Sequence, residues 1–215
     1  MLFRSWRAEG DRLTYKGLIL DFGGVVTTDF YGALAAFSER AGLDPGAFTR
    51  ILREDPEGRE AFHAVERGAI PQRQFEVTMG RLLGLPDEGL LAAALADLGP
   101  RPDVIDLVKR ARSAGVLVAA LSNSWGTGAY DPYEGWDLDG MFDAVVISDR
   151  VGMRKPEPGI YLLTAARLGL PPQECLFVDD TERNLPGAGD LGMGTVYFAG
   201  VAGEIAEIER LIGIG

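Results

Sequence analysis

Five polar side chains that could do chemistry follow apolar segments of the chain, directly or in the next loop: Asp21, Ser122, Lys155, Asp179 and Asp180. The segments read as buried strands of a parallel sheet, and they are residues 18–20, 116–121, 144–147 and 175–178. The carboxyl ends of parallel strands meet at one edge of a sheet, where open α/β sheets bind ligands. We therefore expect these side chains to form one site.

The chemistry that suits these groups is phosphoryl transfer through an aspartate. Asp21 and one member of the pair Asp179 and Asp180 would bring two carboxylates together, which is unfavourable unless a cation lies between them. Oxygen ligands from carboxylates, a backbone carbonyl and water favour Mg²⁺. Asp21 could then attack phosphorus and form an aspartyl-phosphate that water hydrolyses. Lys155 would neutralise one phosphoryl oxygen, and the Ser122 hydroxyl would donate to another.

Taken one at a time, these residues have ordinary structural explanations. Asp21 and Ser122 could cap turns or a helix, and Lys155 could be a solvated surface residue. Asp179 and Asp180 could form an exposed acidic turn. Their joint placement at the ends of strands favours a functional site instead. This site is not a P-loop, because the sequence after Asp21, GGVVTT, lacks the required GK[ST].

The elements that must position the site alternate between helix and strand from Pro100 onward. This pattern predicts right-handed βαβ units and a Rossmann-like, doubly wound parallel sheet with helices on both faces. Between the first strand and Pro100, helical periodicity and Gly or Pro breakers predict four or five helices. We therefore expect an α/β core of residues 1–28 and 99–215, with a helical cap of residues 29–98 over the carboxyl edge of the sheet.

Composition excludes several classes of protein. The chain has 215 residues, of which 47% are hydrophobic, and it lacks a transmembrane run or the apolar segment of a signal peptide, so we expect a soluble cytoplasmic protein. A net charge of −11 argues against nucleic acid and anionic membranes as partners. The lone Cys175 is expected to be a buried structural thiol. The lone His63 cannot build a zinc site or a Ser/His/Asp triad.

Four segments resemble the sequence motifs of the haloacid dehalogenase superfamily of hydrolases: residues 20–25 (LDFGGV), 121–123 (LSN), 155–161 (KPEPGIY) and 177–184 (FVDDTERN). The helices inserted after the first motif are similar to the family's C1-type cap. Residues 151–158 are similar to the phosphatase domain of soluble epoxide hydrolases. The resemblance covers nearly everything from residue 18 to residue 198.

The resemblance implies a role for each motif residue. Asp21 is the expected nucleophile, and the Gly23 carbonyl and Asp180 are expected Mg²⁺ ligands. Asp179 is expected to assist near the metal, and we include it among the predicted ligands. We also expect two residues of these motifs to contact the substrate: Gly24 and Asn123.

The sequence departs from the family at Gly23. Phosphatases of this family usually carry a second aspartate there, which acts as general acid and base. Since general acid catalysis typically contributes about 10²- to 10⁴-fold, we expect slow hydrolysis of esters with poor leaving groups. Thr27, Thr28 or a cap residue could supply the proton instead.

Three functions remain open from the sequence. The first is a Mg²⁺-dependent phosphatase of a small phosphorylated metabolite. The second is a catalytically weak protein of the same fold that acts in binding or regulation, which Gly23 favours. The third is a 2-haloacid dehalogenase, against which the pair Asp179 and Asp180 argues because that reaction needs no metal.

Substrate and oligomeric state cannot be predicted from the sequence. Three aromatic residues could cover the pocket, or simply pack under the long loop that contains them: Trp125, Tyr130 and Trp136. We expect residues 1–16 to be an arm on the domain or partly disordered, and their sequence gives no indication of a function.

Overall fold

A computed structural model describes residues 14–126 and 128–215 of the chain. Its centre is a five-stranded sheet in which every neighbouring pair is parallel, in the order β3-β2-β1-β4-β5. The strands are β1 (Gly17–Leu20), β2 (Leu117–Ser122), β3 (Ala144–Ile147), β4 (Cys175–Asp179) and β5 (Gly194–Tyr197). The predicted α/β class and parallel sheet are confirmed, and Ser122 lies within the end of its strand.

The central strand β1 is buried on both faces because helices cover each side of the sheet. Leu18 and Leu20 pack in one hydrophobic cluster with side chains of helices α6 (Pro102–Ser113) and α11 (Glu204–Ile212). Ile19 points to the other face, into a cluster with side chains of α9 (Pro158–Leu168) and α10 (Leu185–Gly189). Alternate residues of a strand face opposite sides, so an uninterrupted aliphatic strand requires this three-layer architecture.

Local sequence signals account for where the core helices begin and end. Both α6 and α9 start with a proline, whose fixed φ and missing N–H suit the first helical position. Helix α9 ends at Gly169, with φ of +70°. Two further short helices, α7 (Leu138–Met141) and α8 (Ser148–Val151), lie in the loops on either side of β3.

The segment between β1 and α6 forms five helices with their own hydrophobic cluster. They are α1 (Phe30–Arg40), α2 (Ala47–Arg53), α3 (Pro56–Glu66), α4 (Gln72–Leu83) and α5 (Leu90–Ala94). Helix α3 is capped by the Asp55 side chain, which accepts a hydrogen bond from Gly58 N at 2.9 Å. Trp125 and Tyr130, from the loop after β2, also pack in this cluster.

Two antiparallel connections join the helical segment to the sheet. Thr28 N donates to Gly99 O at 2.8 Å, and Arg101 N donates to Val26 O at 2.9 Å. An isolated bridge between Thr27 and Pro100 lies between these two hydrogen bonds. The chain therefore enters and leaves the helical segment at one place, as an insertion requires.

Three further expectations concern Cys175, the N-terminal arm and membrane-spanning helices. Cys175 is fully buried in β4, as expected, and burial raises the pKa of its thiol to about 11. The predicted arm lies mostly outside the described residues, which begin at Thr14. Of the helices described, none has the length and apolar character needed to cross a membrane.

Candidate active site

The parallel register of the sheet brings the predicted residues together at its carboxyl edge. Leu20 of β1 pairs with Ala120 of β2 and with Val178 of β4, so the residues that follow these positions end at the same level. Those residues are Asp21, Ser122, Asp179 and Asp180, and Lys155 joins them from the loop after α8. The joint prediction made from strand ends is thus matched by the geometry.

Lys155 is the centre of the charged cluster. Its side chain is 1% exposed, and its Nζ lies 2.6 Å from Asp21 Oδ1 and 2.7 Å from Asp179 Oδ2. These two carboxylates raise the pKa of Lys155 despite burial, which acts to lower it, so the ammonium stays charged. A lysine this deeply buried requires carboxylate partners, which excludes the explanation of a solvated surface residue.

Asp179 and Asp180 have different surroundings although they are adjacent. Both oxygens of the Asp179 carboxylate accept hydrogen bonds, from Lys155 Nζ at 2.7 Å, from Thr181 N at 2.7 Å and from Asn184 Nδ2 at 3.1 Å. Asp180 lies on the cavity wall and accepts a hydrogen bond from the Thr181 hydroxyl at 3.2 Å. This geometry favours Asp180 as a direct metal ligand and Asp179 as the residue that holds Lys155.

Asp21 presents one oxygen to the cavity. Its Oδ1 contacts Lys155 and accepts a hydrogen bond from Phe22 N at 2.7 Å. Among the described residues no hydrogen bond is formed to Oδ2, and Asp21 lines the cavity. The free oxygen is therefore the atom available to attack a bound substrate.

The donor set fits a divalent cation. Carboxylate oxygens of Asp21, Asp179 and Asp180 lie within 4.8 Å of one another. The Lys155 ammonium contacts two of these carboxylates and neutralises only one of the three negative charges. Burial, and after it the Asp179 charge, raise the pKa of Asp21 and that of Asp180, the latter to about 6. In addition, the buried Asn184 Oδ1 has no hydrogen-bond partner among the described residues. An oxygen-rich site of this charge suits Mg²⁺.

The two glycines of the first motif, Gly23 and Gly24, differ in whether a side chain could be placed there. Gly24 has φ of +95°, and a Cβ there would lie 2.0 Å from Asp180 Oδ2, so a side chain at this position would displace Asp180. At Gly23, φ is −78° and a Cβ would meet only Phe30 Cδ2 at 3.8 Å. Gly23 is therefore not required by backbone geometry, and the missing aspartate is a chemical difference.

Ser122 is oriented by an aromatic residue that the sequence analysis did not identify. The Tyr133 hydroxyl donates to Ser122 Oγ at 2.8 Å, which leaves the Ser122 proton for another acceptor. Burial raises the pKa of Tyr133 to about 12, so this hydroxyl keeps its proton near neutral pH. Tyr133 lies in the long loop between β2 and α7, 11 residues after Ser122, where no sequence motif distinguishes it from its neighbours.

Asn123 contacts the backbone of Lys155 through both ends of its amide. Its Oδ1 accepts from Lys155 N at 2.8 Å, and its Nδ2 donates to Lys155 O at 3.2 Å. The side chain thus fixes the loop that carries the ammonium. A substrate contact by Asn123 or by Gly24 stays a prediction.

The threonine hydroxyls proposed as alternative proton donors are bonded to the backbone. Thr27 Oγ1 accepts from Gly24 N at 3.1 Å and donates to Thr28 O at 3.2 Å. Thr28 Oγ1 accepts from Gly99 N at 3.1 Å and donates to Asp97 O at 3.4 Å. Both hydroxyls stabilise the connection to the helical segment, which argues against either as the general acid.

A cavity of about 440 Å³ opens above the cluster, between the sheet edge and the helical segment. Its walls include Trp125, Tyr130 and Trp136, which is one of the two alternatives considered for them. Trp125 also packs against Phe30, with ring centroids 5.3 Å apart, so it has both of the roles considered from the sequence. The volume is in the range of small-molecule binding sites.

A buried ion pair beside the site joins the helical segment to the loop that carries Lys155. Arg154 Nε lies 2.5 Å from Glu66 Oε2, and both side chains are less than 8% exposed. The adjacent pair Arg67 and Glu157 connects the same two regions at a partly exposed position. Neither pair follows from local sequence patterns, because each joins residues about 90 positions apart.

Comparison with known proteins identifies the family. Residues 15–192 match the model of the haloacid dehalogenase-like hydrolases, and the chain belongs to this family. The family comparison and the five-stranded sheet thus confirm the resemblance seen in the motifs.

Two of the similar proteins are enzymes with different activities. A glyceraldehyde 3-phosphate phosphatase of Methanopyrus kandleri is 32% identical over 73% of this chain and 71% of its own length. An (S)-2-haloacid dehalogenase of Burkholderia cepacia is 34% identical over 53% of this chain and 48% of its own length. A solved HAD family enzyme of Bacteroides thetaiotaomicron, in complex with magnesium and inorganic phosphate, is 26% identical with a TM-score of 0.62, covering 85% of this chain and 93% of that one.

Proposed function

We propose that this hydrolase is a Mg²⁺-dependent phosphatase that acts on a phosphomonoester through a phosphorylated Asp21. The observation that carries the proposal is the buried Lys155 ammonium within 2.7 Å of Asp21 and Asp179, on the floor of a cavity that Asp180 also lines. The phosphatase relative and the solved enzyme that holds magnesium and phosphate support it. The helical segment, residues 29–98, acts as a cap over the site.

Each residue of the site has a separate role in the proposed reaction. Asp21 Oδ2 attacks phosphorus, while Phe22 N and Lys155 hold Oδ1. As the bond from Asp21 to phosphorus forms, the bond from phosphorus to the alcohol oxygen breaks. Lys155 and the Ser122 hydroxyl stabilise the charge on the phosphoryl oxygens. Water then attacks phosphorus, which releases inorganic phosphate and restores the Asp21 carboxylate.

The bound Mg²⁺ would supply neutralising charge for the phosphoryl group. Asp21, Asp180 and the Gly23 carbonyl would hold it, and Asp179 would act beside them by fixing Lys155. With no carboxylic acid at position 23, the departing alkoxide takes its proton from water. Substrates that leave as stabilised anions, such as aryl phosphates, should therefore react faster than alkyl phosphates.

A direct test measures hydrolysis of p-nitrophenyl phosphate with Mg²⁺ and with EDTA. We expect turnover that requires Mg²⁺ and falls by at least about 10³-fold in Asp21→Asn, because the nucleophile is lost. Asp190→Asn, at an exposed position outside the cavity, is the matched control and should keep full activity.

Two other results would replace the proposal. Halide release from a 2-haloacid without metal would favour the dehalogenase reaction of the Burkholderia relative. Absence of turnover on aryl and alkyl esters alike would favour a binding or regulatory protein, for which Gly23 is the motivating feature.

A further inference from the structure

The cavity extends well beyond the groups needed to bind a phosphoryl group, and its walls are aromatic. On the sheet side, the Phe22 ring lies 5.1 Å from that of Tyr133 and 4.9 Å from that of Trp136. Ile105 and Met141 line the cavity on the same side. We call the three aromatic residues Phe22, Tyr133 and Trp136 the sheet-side wall.

The helical segment and Trp125, from the loop after β2, supply a second wall. The Phe30 ring lies 5.3 Å from those of Tyr31 and Trp125, and Phe62 packs against Trp125 at 5.9 Å. Leu95 and Leu98 add aliphatic surface to the cavity on this side. We call Phe30, Tyr31, Phe62 and Trp125 the helical wall. A substrate on the Asp21 floor would thus lie between two apolar surfaces from different parts of the chain.

The charges around the cavity argue against a second anionic group on the substrate. Of the described residues that line it, only Lys155 and Arg183 are basic, and Lys155 is already paired with Asp21 and Asp179. The exposed Glu134 and Asp137 line the cavity beyond the floor. A bisphosphate or a nucleotide would therefore meet more carboxylates than cations.

We propose that the substrate is the monophosphate ester of a large apolar alcohol, whose hydrocarbon or aromatic body lies between the sheet-side and helical walls. The inference rests on the proposed function for the phosphoryl end of the molecule. Burial of apolar surface in a preformed cavity supplies the affinity for the body. Such binding gains roughly threefold to fourfold for each methylene group that is fully buried.

The affinity part can be tested without turnover. Binding of ethyl-, butyl-, hexyl- and octylphosphonate in the presence of Mg²⁺ is measured by calorimetry on the full chain. We expect affinity to rise by at least about twofold per methylene, with an increasingly negative heat-capacity change. An affinity that is flat along the series, or a hydroxylated phosphonate that binds better than its alkyl counterpart, would overturn the inference.

Variants assign the effect to the walls. Tyr31→Ala and Trp136→Ala each remove a half-buried ring from one wall, and Tyr197→Ala removes an exposed ring outside the cavity. We expect each wall variant to weaken octylphosphonate binding by about tenfold or more while binding of inorganic phosphate changes little. Equal effects of all three variants on octylphosphonate would contradict the assignment.

Turnover separates this inference from the proposed function. Hydrolysis of p-nitrophenyl phosphate without any chain-length preference in binding would leave the phosphatase proposal standing and reject the apolar substrate. Chain-length-dependent binding of phosphonates without turnover would reject the phosphatase proposal and support the apolar ligand. Preference for octyl phosphate over sugar phosphates in both assays supports the two together.

Discussion

At the scale of single residues, the site depends on the buried ammonium of Lys155. Lys155 has almost no exposed surface, and desolvating an ammonium is costly unless carboxylates contact it directly. Asp21 and Asp179 provide those contacts, and the Asn123 amide fixes the Lys155 backbone. Asp21, the proposed nucleophile, and Lys155, the residue proposed to neutralise phosphate, are therefore in contact before any substrate binds.

The first prediction concerns Gly23. The backbone there accepts a side chain without strain, so Gly23→Asp should fold normally and place a carboxylic acid two residues after the nucleophile. We expect hydrolysis of alkyl phosphates to rise by about 10²-fold, the lower end of what general acid catalysis contributes. Aryl phosphates should gain much less, because their leaving groups need little protonation. Steady-state kinetics on both ester classes measures the effect.

The control for this substitution is Gly23→Asn, which adds a side chain of the same shape without an acidic proton. It should leave the alkyl phosphate rate near that of the original protein. A similar gain in both variants, or no gain in Gly23→Asp, would show that proton donation to the leaving group does not limit the reaction.

At the scale of elements, helix α3 links the helical segment to the loop that carries Lys155. Glu66, near its end, forms a buried ion pair with Arg154, the residue before Lys155. Removing one partner of a buried pair leaves the other charge desolvated and unpaired, which is why such substitutions cost more than exposed ones. The position of α3 is thus fixed by electrostatics as well as by its apolar face.

The second prediction is that Glu66→Gln destabilises the protein by about 3 kcal/mol, since Arg154 stays buried without a countercharge. For a chain of this length the melting temperature should fall by roughly 6–12 °C. Thermal and urea denaturation followed by circular dichroism measure the change.

The same helix offers a matched control. Glu57 pairs with Arg81, and both side chains are 57% exposed. Glu57→Gln should therefore cost less than about 1 kcal/mol. If the two glutamine variants lost the same stability, the buried pair would have no special role in joining α3 to the core.

At the scale of the whole molecule, the net charge of the chain and the charge of the site are both negative, so both repel an anionic substrate. The chain carries a net charge of −11, and the site places three carboxylates around one ammonium. An anionic substrate is repelled unless a cation reduces this charge. A ligand that binds only the folded state also stabilises it, so the proposed cation should have a measurable effect on folding.

The third prediction follows from this linkage. Saturating Mg²⁺, about 100-fold above its dissociation constant, should stabilise the fold by about 2.7 kcal/mol and raise the melting temperature by roughly 5–10 °C. Asp180→Asn should lose most of this shift, whereas Asp190→Asn should keep it. Differential scanning fluorimetry over a Mg²⁺ titration tests this without any activity measurement. An equal shift in Asp180→Asn would place the ion elsewhere.

Much of the fold follows from local sequence signals. Apolar runs such as residues 18–20 and 175–178 are long enough only for strands, and the alternation of strand and helix after Pro100 leaves few topologies for a parallel sheet. The candidate site follows for the same reason, since Asp21, Ser122 and Asp179 occupy the ends of those strands. The strand pattern alone does not distinguish Asp179 from Asp180, because adjacent carboxylates have the same local signal, and only the resemblance to the family motif implied different roles for them.

By itself, the sequence determined the family, the parallel sheet and the set of polar residues at its edge, because strand ends and motif spacing are local properties. Only the tertiary structure decided what lies around them. Tyr133 reaches Ser122, Glu66 reaches Arg154, and two aromatic walls enclose one cavity. These contacts join segments that are distant along the chain, and their geometry depends on how the helical segment packs on the sheet.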